Sequence, residues 1–417
     1  MDAILIRGGR PLRGRVEIAG SKNSVLPIMA ATLLAEGLHT IENVPALRDV
    51  RTMGNLLTVL GSKVRGEGRA LEVTTGPGND AEAPYDLVKT MRASIYVLGP
   101  LLARTGRARV SLPGGCAWGP RPVDLHIGGL EKMGAAIEID GGYVVATARR
   151  LRGATIHFPQ PSVGATAHLM MAAALAEGKT VIANAAMEPE VTALADFLNG
   201  MGAAIAGAGS ARVTIEGVRS LRPGRIRVIP DRIEMGTYAV AGAITGGDLT
   251  IPGRAPRHIA AVVDKLVEAG VEATDDGDSL RIRSTGPLRS VDVSTAPYPG
   301  FPTDMQAQMM ALMTIADGRS VITDTIYTDR FTHVAELKRL GADIEVRGNS
   351  ALVSHVDRLS GAPVMATDLR ASAALILAGL VAEGETKVSR VYHIDRGYEG
   401  IETKLAALGA DIERIHE

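Results

Sequence analysis

Apolar residues recur along the chain with a helical beat that stops and restarts at regular intervals. The clearest stretch is Ile259, Val262, Val263, Leu266 and Val267, spaced i, i+3, i+4, i+7, i+8. That spacing puts all five on one stripe of a helix. Gly270 follows, and a glycine just past a helical pattern supplies a left-handed stop. From Val271 to Arg283 the pattern changes to short alternating runs on either side of Asp275, Asp276 and Gly277. Alternation broken by an Asp/Gly cluster predicts two strands and a turn.

The arrangement returns along the whole chain. VLGSKV (Val59 to Val64), KMGAAI (Lys132 to Ile137), GMGAAI (Gly200 to Ile205), EAGVEA (Glu268 to Ala273), RLGADI (Arg339 to Ile344) and ALGADI (Ala407 to Ile412) are versions of one segment. Their glycines, Gly61, Gly134, Gly202, Gly270, Gly341 and Gly409, are separated by 73, 68, 68, 71 and 68 residues. A second series interleaves with the first. Ala-rich helical patterns end at Gly37, Gly106, Gly178, Gly247, Gly318 and Gly384, and a β-like run such as TVIAN or SVITD follows each. Two independent series with one period predict six copies of a unit of roughly 70 residues, each with two helices and three or four strands. A linear solenoid is one arrangement of such units. Two closed clusters of three match ordinary domain sizes better. The segments VEIAGSKNSVLP (Val16 to Pro27) and IRVIPDRIEMG (Ile226 to Gly236) occupy equivalent points half a chain apart. The chain is expected to cross between clusters there. The domains are therefore expected at 22–229 and at 1–21 with 230–417, with a ligand cleft between them.

Composition narrows the function. Lys plus Arg is 45 and Asp plus Glu is 46, a net charge of −1. A generic nucleic-acid binder needs a basic excess. Aromatics are 3% with a single Trp118, too few for base-stacking platforms. Any anionic ligand must be held by a local cluster of cations. One cysteine, Cys116, excludes an intrachain disulfide and fits a reducing compartment. The N-terminus MDAILIRGGRP lacks the apolar stretch of a signal peptide, and the run Ala371 to Ala382 is too short to span a membrane. A cytoplasmic protein without membrane insertion is expected.

Several chemical motifs fail on inspection. EGKT (Glu177 to Thr180) lacks the first glycine of a phosphate loop, Gly207 and Gly209 do not complete a dinucleotide fingerprint, and the nine histidines show no metal-ligand spacing. No metal or cofactor is expected. Cys116 is different. It lies in SLPGGCAWGPRPVD (Ser111 to Asp124), with three Gly and three Pro in fourteen residues. A buried lone Cys is usually a small hydrophobe. This one sits in a loop, beside Arg121, which favours the thiolate and a chemical role. Lys22, Arg92, Arg121, Arg330, Arg370 and Arg396 each lie at an element boundary or in a polar knot. Taken singly each reads as a solvated charge. Recurring at equivalent places in separate repeats, they would converge into a site for a small polyanion. Asp304, in PGFPTDMQAQ, reads either as a helix cap or as a general base.

The blocks GSKNS, LPGGCAWGPRPVDLHI, PSVGAT, PDRIEMGTY, FPTDMQAQ, DRFTHVAEL, ATDLRASA and HIDRGYEGIETKLAALGADI resemble the UDP-N-acetylglucosamine 1-carboxyvinyltransferase family. These enolpyruvyl transferases share their architecture with 5-enolpyruvylshikimate-3-phosphate synthase. The resemblance implies two inside-out α/β barrel domains, each of three βαβαββ repeats. It implies transfer of enolpyruvyl from phosphoenolpyruvate to the 3′-hydroxyl of UDP-N-acetylglucosamine, through a tetrahedral ketal, with release of phosphate. It also implies a place at the start of peptidoglycan synthesis, hence in cell wall biogenesis, cell shape and division, and a thiol open to fosfomycin. By motif, Cys116 is the proton donor. Lys22, Asn23, Arg121 and Arg396 would hold phosphoenolpyruvate. Arg92, Arg121, Pro122, Val123, Asp124, Leu125, Ser162, Val163, Asp304 and Ile326 would hold the nucleotide sugar, and Arg330 would be a further substrate-binding residue. Asp304 would also take the hydroxyl proton, and Asp368 and Arg370 would support the anion site. One departure stands out: Gln160 and Pro161 precede the SVGAT segment where relatives often carry Lys.

Overall fold

The structure, a computed structural model, describes residues 2–77, 82–89, 91–112, 123–253 and 256–416. The chain divides into two compact units, one of residues 20–229 and one of residues 1–19 with 230–417.

Within the unit 20–229 three helices lie at the centre. Lys22–Ala31 and Val163–Ala173 are apolar on nearly every side and almost wholly buried, and Leu98–Thr105 is buried from Leu98 to Leu102. A helix without a polar face can only be an interior one. Ala is the commonest residue in these helices, and small side chains let backbones approach closely. Gly99 shows how closely: a Cβ there would lie 2.9 Å from His168 Nε2, which instead accepts the Gly99 N–H at 2.7 Å. A second set of helices, Arg48–Val59, Asp124–Lys132 and Pro189–Gly200, is amphipathic and closes over the strands.

Three four-stranded sheets surround the central helices, all built to one plan. Glu82–Ala83 runs parallel to Arg107–Ser111, which pairs antiparallel with Tyr143–Thr147 and that in turn with Ala136–Asp140. Thr155–His157, Lys179–Ala183, Arg212–Glu216 and Ala204–Ala206 repeat the order. In chain order this is βαβαββ. The third sheet takes its first strand from the far end of the unit: Arg225–Arg227 lies parallel to Gly37–Glu42.

The other unit repeats the design around Arg232–Ile244, Gln306–Met313 and Ser372–Gly379, which pack on one another. Here the N-terminal segment supplies two strands. Arg13–Arg15 is the parallel first strand beside Asp248–Pro252. Asp2–Arg7 is a central strand between Glu385–Ser389 and Asp411–His416. The six-repeat reading therefore holds, and its two closed clusters, not a solenoid, are what the sheets form.

The glycine stops are also present. Gly61, Gly134, Gly202, Gly270, Gly341 and Gly409 all have φ between 90° and 103°. An L side chain with a Cβ is strained in that region, which is why the turn after each outer helix is glycine. The second series differs at one copy. Gly246, not Gly247, takes the left-handed turn (φ 63°), because Gly247 is pressed against the Leu12 carbonyl, 2.4 Å from where a Cβ would stand.

Candidate active site

Among the described residues singled out by chemistry, Lys22, Arg92, Ser162, Val163, Asp304 and Arg370 stand at or just before the N-terminal ends of the buried helices. This has a physical basis, because helix N-termini present unpaired N–H groups and partial positive charge.

In the unit containing residues 230–417, five charged residues form one network. Asp231 caps Arg232–Ile244: its Oδ1 accepts from the N–H groups of Ile233 and Glu234 at 2.9 and 3.0 Å. Its Oδ2 takes a bond from Arg370 Nη2 at 2.8 Å. Arg370 Nη1 donates to the Gly397 carbonyl, also at 2.8 Å, next to Arg396. Asp368 Oδ1 accepts from the N–H groups of Arg370 and Ala371 at 2.8 and 2.7 Å, which fixes the entry to Ser372–Gly379. Arg330 bridges two carboxylates, with Nη1 2.7 Å from Asp304 Oδ1 and Nη2 3.3 Å from Asp368 Oδ1.

Exposure separates their roles. Arg370 is 1% exposed, Asp368 5% and Arg330 4%. The Asp304 side chain is 26% exposed and is the member of the network that faces outward. Burial on its own would raise the Asp304 pKa. The Arg330 charge, with Arg370 and Arg232 behind it, outweighs burial and holds the carboxyl well below the usual range. The alternative of a helix cap does not hold: Asp304 lies in the 3-10 turn Thr303–Met305, and its carboxylate pairs with Arg330 and caps nothing. Arg330 also donates to Thr303 Oγ1 at 3.2 Å, and Thr303 in turn donates to Asp324 Oδ2 at 2.7 Å. Asp324 Oδ1 accepts the N–H of Ile326, whose side chain is 36% exposed. Arg396 closes the 3-10 segment Val391–Arg396 and is partly buried.

In the unit 20–229, Lys22 opens its buried helix, and its Nζ lies 2.8 Å from Asp49 Oδ2, both side chains under 10% exposed. Asn23 follows it, partly buried. Arg92 begins the 3-10 segment Arg92–Val97 that leads into Leu98–Thr105. Val123 stands at the start of Asp124–Lys132, which also carries Leu125. The Ser162 hydroxyl accepts the Ala165 N–H at 3.2 Å and so caps Val163–Ala173. Gln160 and Pro161 are exposed. Cys116, Trp118, Arg121 and Pro122 lie outside the described residues.

Sequence reasoning missed several members. Asp49 sits in RDVRTM without any pattern to mark it. Asp231 was legible as a cap, since D-x-x-E (Asp231 to Glu234) has capping-box spacing. His126 and His168 are a buried ring pair, centroids 4.9 Å apart. Burial first, then the neighbouring Arg92 charge, pulls His126 down to about 4. Among the described residues no group of three or more His, Cys, Asp or Glu could hold a metal ion, and no helix is long and apolar enough to cross a membrane.

Comparison with known proteins places this arrangement in a class. The family profile described as EPSP synthase (3-phosphoshikimate 1-carboxyvinyltransferase) matches residues 6–405, and the chain belongs to that enolpyruvyl transferase family. More particularly, it is 57% identical over 415 residues to the UDP-N-acetylglucosamine 1-carboxyvinyltransferase of Desulfosudis oleivorans. It is 56% identical over 417 residues to that of Geobacter metallireducens, and both matches cover 100% of each chain. The crystal structure of the enolpyruvyl transferase NikO from Streptomyces tendae superposes with a TM-score of 0.90 at 29% identity, covering 99% of this chain and 98% of that one. EPSP synthase from Acinetobacter baumannii gives a TM-score of 0.76 at 19% identity over 100% of both chains, a likeness of fold alone.

Proposed function

We propose that the protein transfers the enolpyruvyl group of phosphoenolpyruvate to the 3′-hydroxyl of UDP-N-acetylglucosamine and releases phosphate. The observation that carries this reading is 57% identity along the full length of a relative bearing that activity in its name. The outward-facing, ionised Asp304 at a helix end supports it.

In this reading the chemistry runs by addition and elimination. The 3′-hydroxyl oxygen bonds to C2 of phosphoenolpyruvate while its proton passes to the Asp304 carboxylate. The Cys116 thiol gives a proton to C3, leaving a tetrahedral ketal. C3 then loses a proton, the C2–O bond to phosphate breaks, and the double bond returns. Arg330 keeps Asp304 ionised at any physiological pH, so it is ready as an acceptor. A carboxylate made so weakly basic takes the proton as the C–O bond forms, when the hydroxyl becomes acidic, and not before.

Lys22, Asn23, Arg121 and Arg396 would hold the carboxylate and phosphate of phosphoenolpyruvate, as charge-assisted bonds do most strongly. Arg92, the run Arg121 to Leu125, Ser162, Val163 and Ile326 would hold the nucleotide sugar, with Arg330 supporting the substrate site through Asp304. Since the Ser162 hydroxyl is occupied in capping, its contribution would come from the exposed helix end. Arg370 and Asp368 act from behind, through Asp231, Gly397 and Arg330. Both sets would serve one active site. The reaction would supply peptidoglycan synthesis from the cytoplasm, and the Cys116 thiol would be the point of attack for fosfomycin.

Incubation with phosphoenolpyruvate and UDP-N-acetylglucosamine should release phosphate and yield the enolpyruvyl nucleotide sugar by mass. Shikimate 3-phosphate offered instead should give none. The reverse preference would overturn the reading.

A further inference from the structure

Behind Asp304 lies a knot of hydroxyl and amide groups that the reaction above does not use. It joins Thr237 of Arg232–Ile244, Gln308 of Gln306–Met313, and Tyr398, two residues past Arg396. These side chains are buried, at 1%, 0% and 2% exposure. Thr237 Oγ1 and Tyr398 Oη are 2.8 Å apart. Gln308 Nε2 lies 3.1 Å from Tyr398 Oη and 3.2 Å from Thr237 Oγ1, and donates to the Asp304 carbonyl at 2.9 Å.

Counting hydrogens gives the knot a direction. Thr237 has one hydroxyl hydrogen, donated to the Ile233 carbonyl at 2.8 Å. Tyr398 must therefore donate to Thr237. Gln308 has two amide hydrogens. One goes to Asp304 and the other is shared between the two hydroxyls. Donation runs outward from Gln308 to the Asp304 carbonyl, and through Tyr398 and Thr237 to Ile233. Burial pushes the Tyr398 phenol up to about 12, so it stays a donor at any working pH.

Tyr398 is itself held. Arg370 lies over its ring, 5.1 Å from the centroid, and bonds the preceding Gly397 carbonyl at 2.8 Å. These bonds tie the three side chains in one geometry, while Gln308 Oε1 makes no hydrogen bond within the knot. Thr237, Gln308 and Tyr398 come from the three repeats of the unit, so their knot fixes how the repeats meet beneath the 3-10 turn of Asp304.

We propose that Tyr398 is a positioning residue for the transfer reaction: through Gln308 it fixes the backbone of Asp304, and so the place from which the carboxylate meets the acceptor hydroxyl. The inference rests on the proton-acceptor role proposed for Asp304.

Tyr398→Phe removes the hydroxyl and keeps the ring. It should lower kcat about 10-fold, the scale of a small misplacement of a reacting group, with KM for both substrates little changed. In the Asp304→Asn background the same change should cost almost nothing further, because Tyr398 acts through that carboxylate. Losses that multiply in the double variant would mark a general structural role and overturn the proposal. Thr237→Val should reproduce the loss and Thr237→Ser should restore the rate, a pair that carries the test if Tyr398→Phe folds poorly. A wild-type protein without transferase activity would overturn the proposed function beneath. An active wild type with a full-speed Tyr398→Phe would overturn this inference alone.

Discussion

Two kinds of residue bear on the behaviour of the molecule one side chain at a time: the thiol proposed to react and the buried titratable groups. Cys116 is assigned both a proton and a nucleophile. A carboxylic acid can supply the proton but attacks an epoxide far less well than a thiolate. Cys116→Asp should therefore keep measurable turnover and resist fosfomycin, whereas Cys116→Ala should lose both turnover and covalent labelling. Product assays and intact mass decide, and labelling of the Ala variant elsewhere would remove the assignment. The buried histidines govern stability. Burial holds His126 down to about 4 and His333 down to about 3, and His168 well below its usual value. In the unfolded chain each titrates near 6.5. Between those values the unfolded chain binds protons that the fold refuses, so stability falls as pH falls below about 6.5. At pH 5 the loss is about 2 kcal/mol each for His126 and His333, and His168 adds a loss of the same sign. Asp304 and Asp368, both held low by Arg330 against the pull of burial, add losses of the same sign below about 4. Burial raises Glu234 despite Lys404, so it works the other way. The urea midpoint should drop clearly from pH 7 to pH 5, and an unchanged midpoint would contradict the assignment of neutral buried rings.

At the level of elements, the glycine after each outer helix is the clearest link from letters to backbone. Gly202 has φ 103°, and a Cβ there would meet nothing within 4 Å. Gly202→Ala therefore isolates backbone strain from steric overlap and should cost about 1–2 kcal/mol, with Gly202→Asn milder because Asn tolerates the left-handed region. Thermal or urea unfolding measures it, and an Ala variant as stable as the parent would show that the turn relaxes. These stops, and the helices before them, were legible because one residue type enforces one conformation. The first strands of the repeats were not. Arg13–Arg15 is RGR, Arg225–Arg227 is RIR, and Glu82–Ala83 has two residues. Short, charged edge strands carry no alternation of apolar positions, and their pairing is a backbone matter. The site divides in the same way. Lys22, Arg92, Asp304, Arg330 and Arg370 were visible because each stands where a helix pattern begins. Their partners were not, since the Lys22–Asp49 pair joins an element start to an unremarkable position on the next helix. Nor does any spacing announce that Thr237, Gln308 and Tyr398 meet, because they come from three different repeats.

For the whole molecule, the pairing of Asp2–Arg7 with Asp411–His416 takes the place that a hairpin holds elsewhere. In five of the six sheets the last two strands form a hairpin, such as Asp343–Arg347 with Ser350–Ser354. In the sixth, Asp411–His416 pairs antiparallel with Asp2–Arg7, Asp2 standing opposite His416. The termini thus occupy the position of a hairpin turn, with His416 Nδ1 2.5 Å from Asp2 Oδ1. Asp2–Arg7 is no ornament at an edge: it is central in its sheet, and Ala3, Ile4 and Ile6 are 0% exposed. Residues 230–417 alone would lack that strand and also Arg13–Arg15, leaving two sheets short and apolar surface open. They should not fold as an isolated fragment. Joining His416 to Asp2 through an Asn-Gly turn, the sequence that suits a two-residue hairpin, gives a continuous chain of 230–416 followed by 2–19. That permuted unit should fold cooperatively, because every sheet of the unit is complete and the loop to be closed is short. Residues 20–229, whose three sheets draw all their strands from within, should fold without any rearrangement. Circular dichroism and urea titration of the three proteins would test this. A soluble, cooperatively folded 230–417 fragment, or a permuted unit no better structured than that fragment, would mean the N-terminal strands are not what completes the unit.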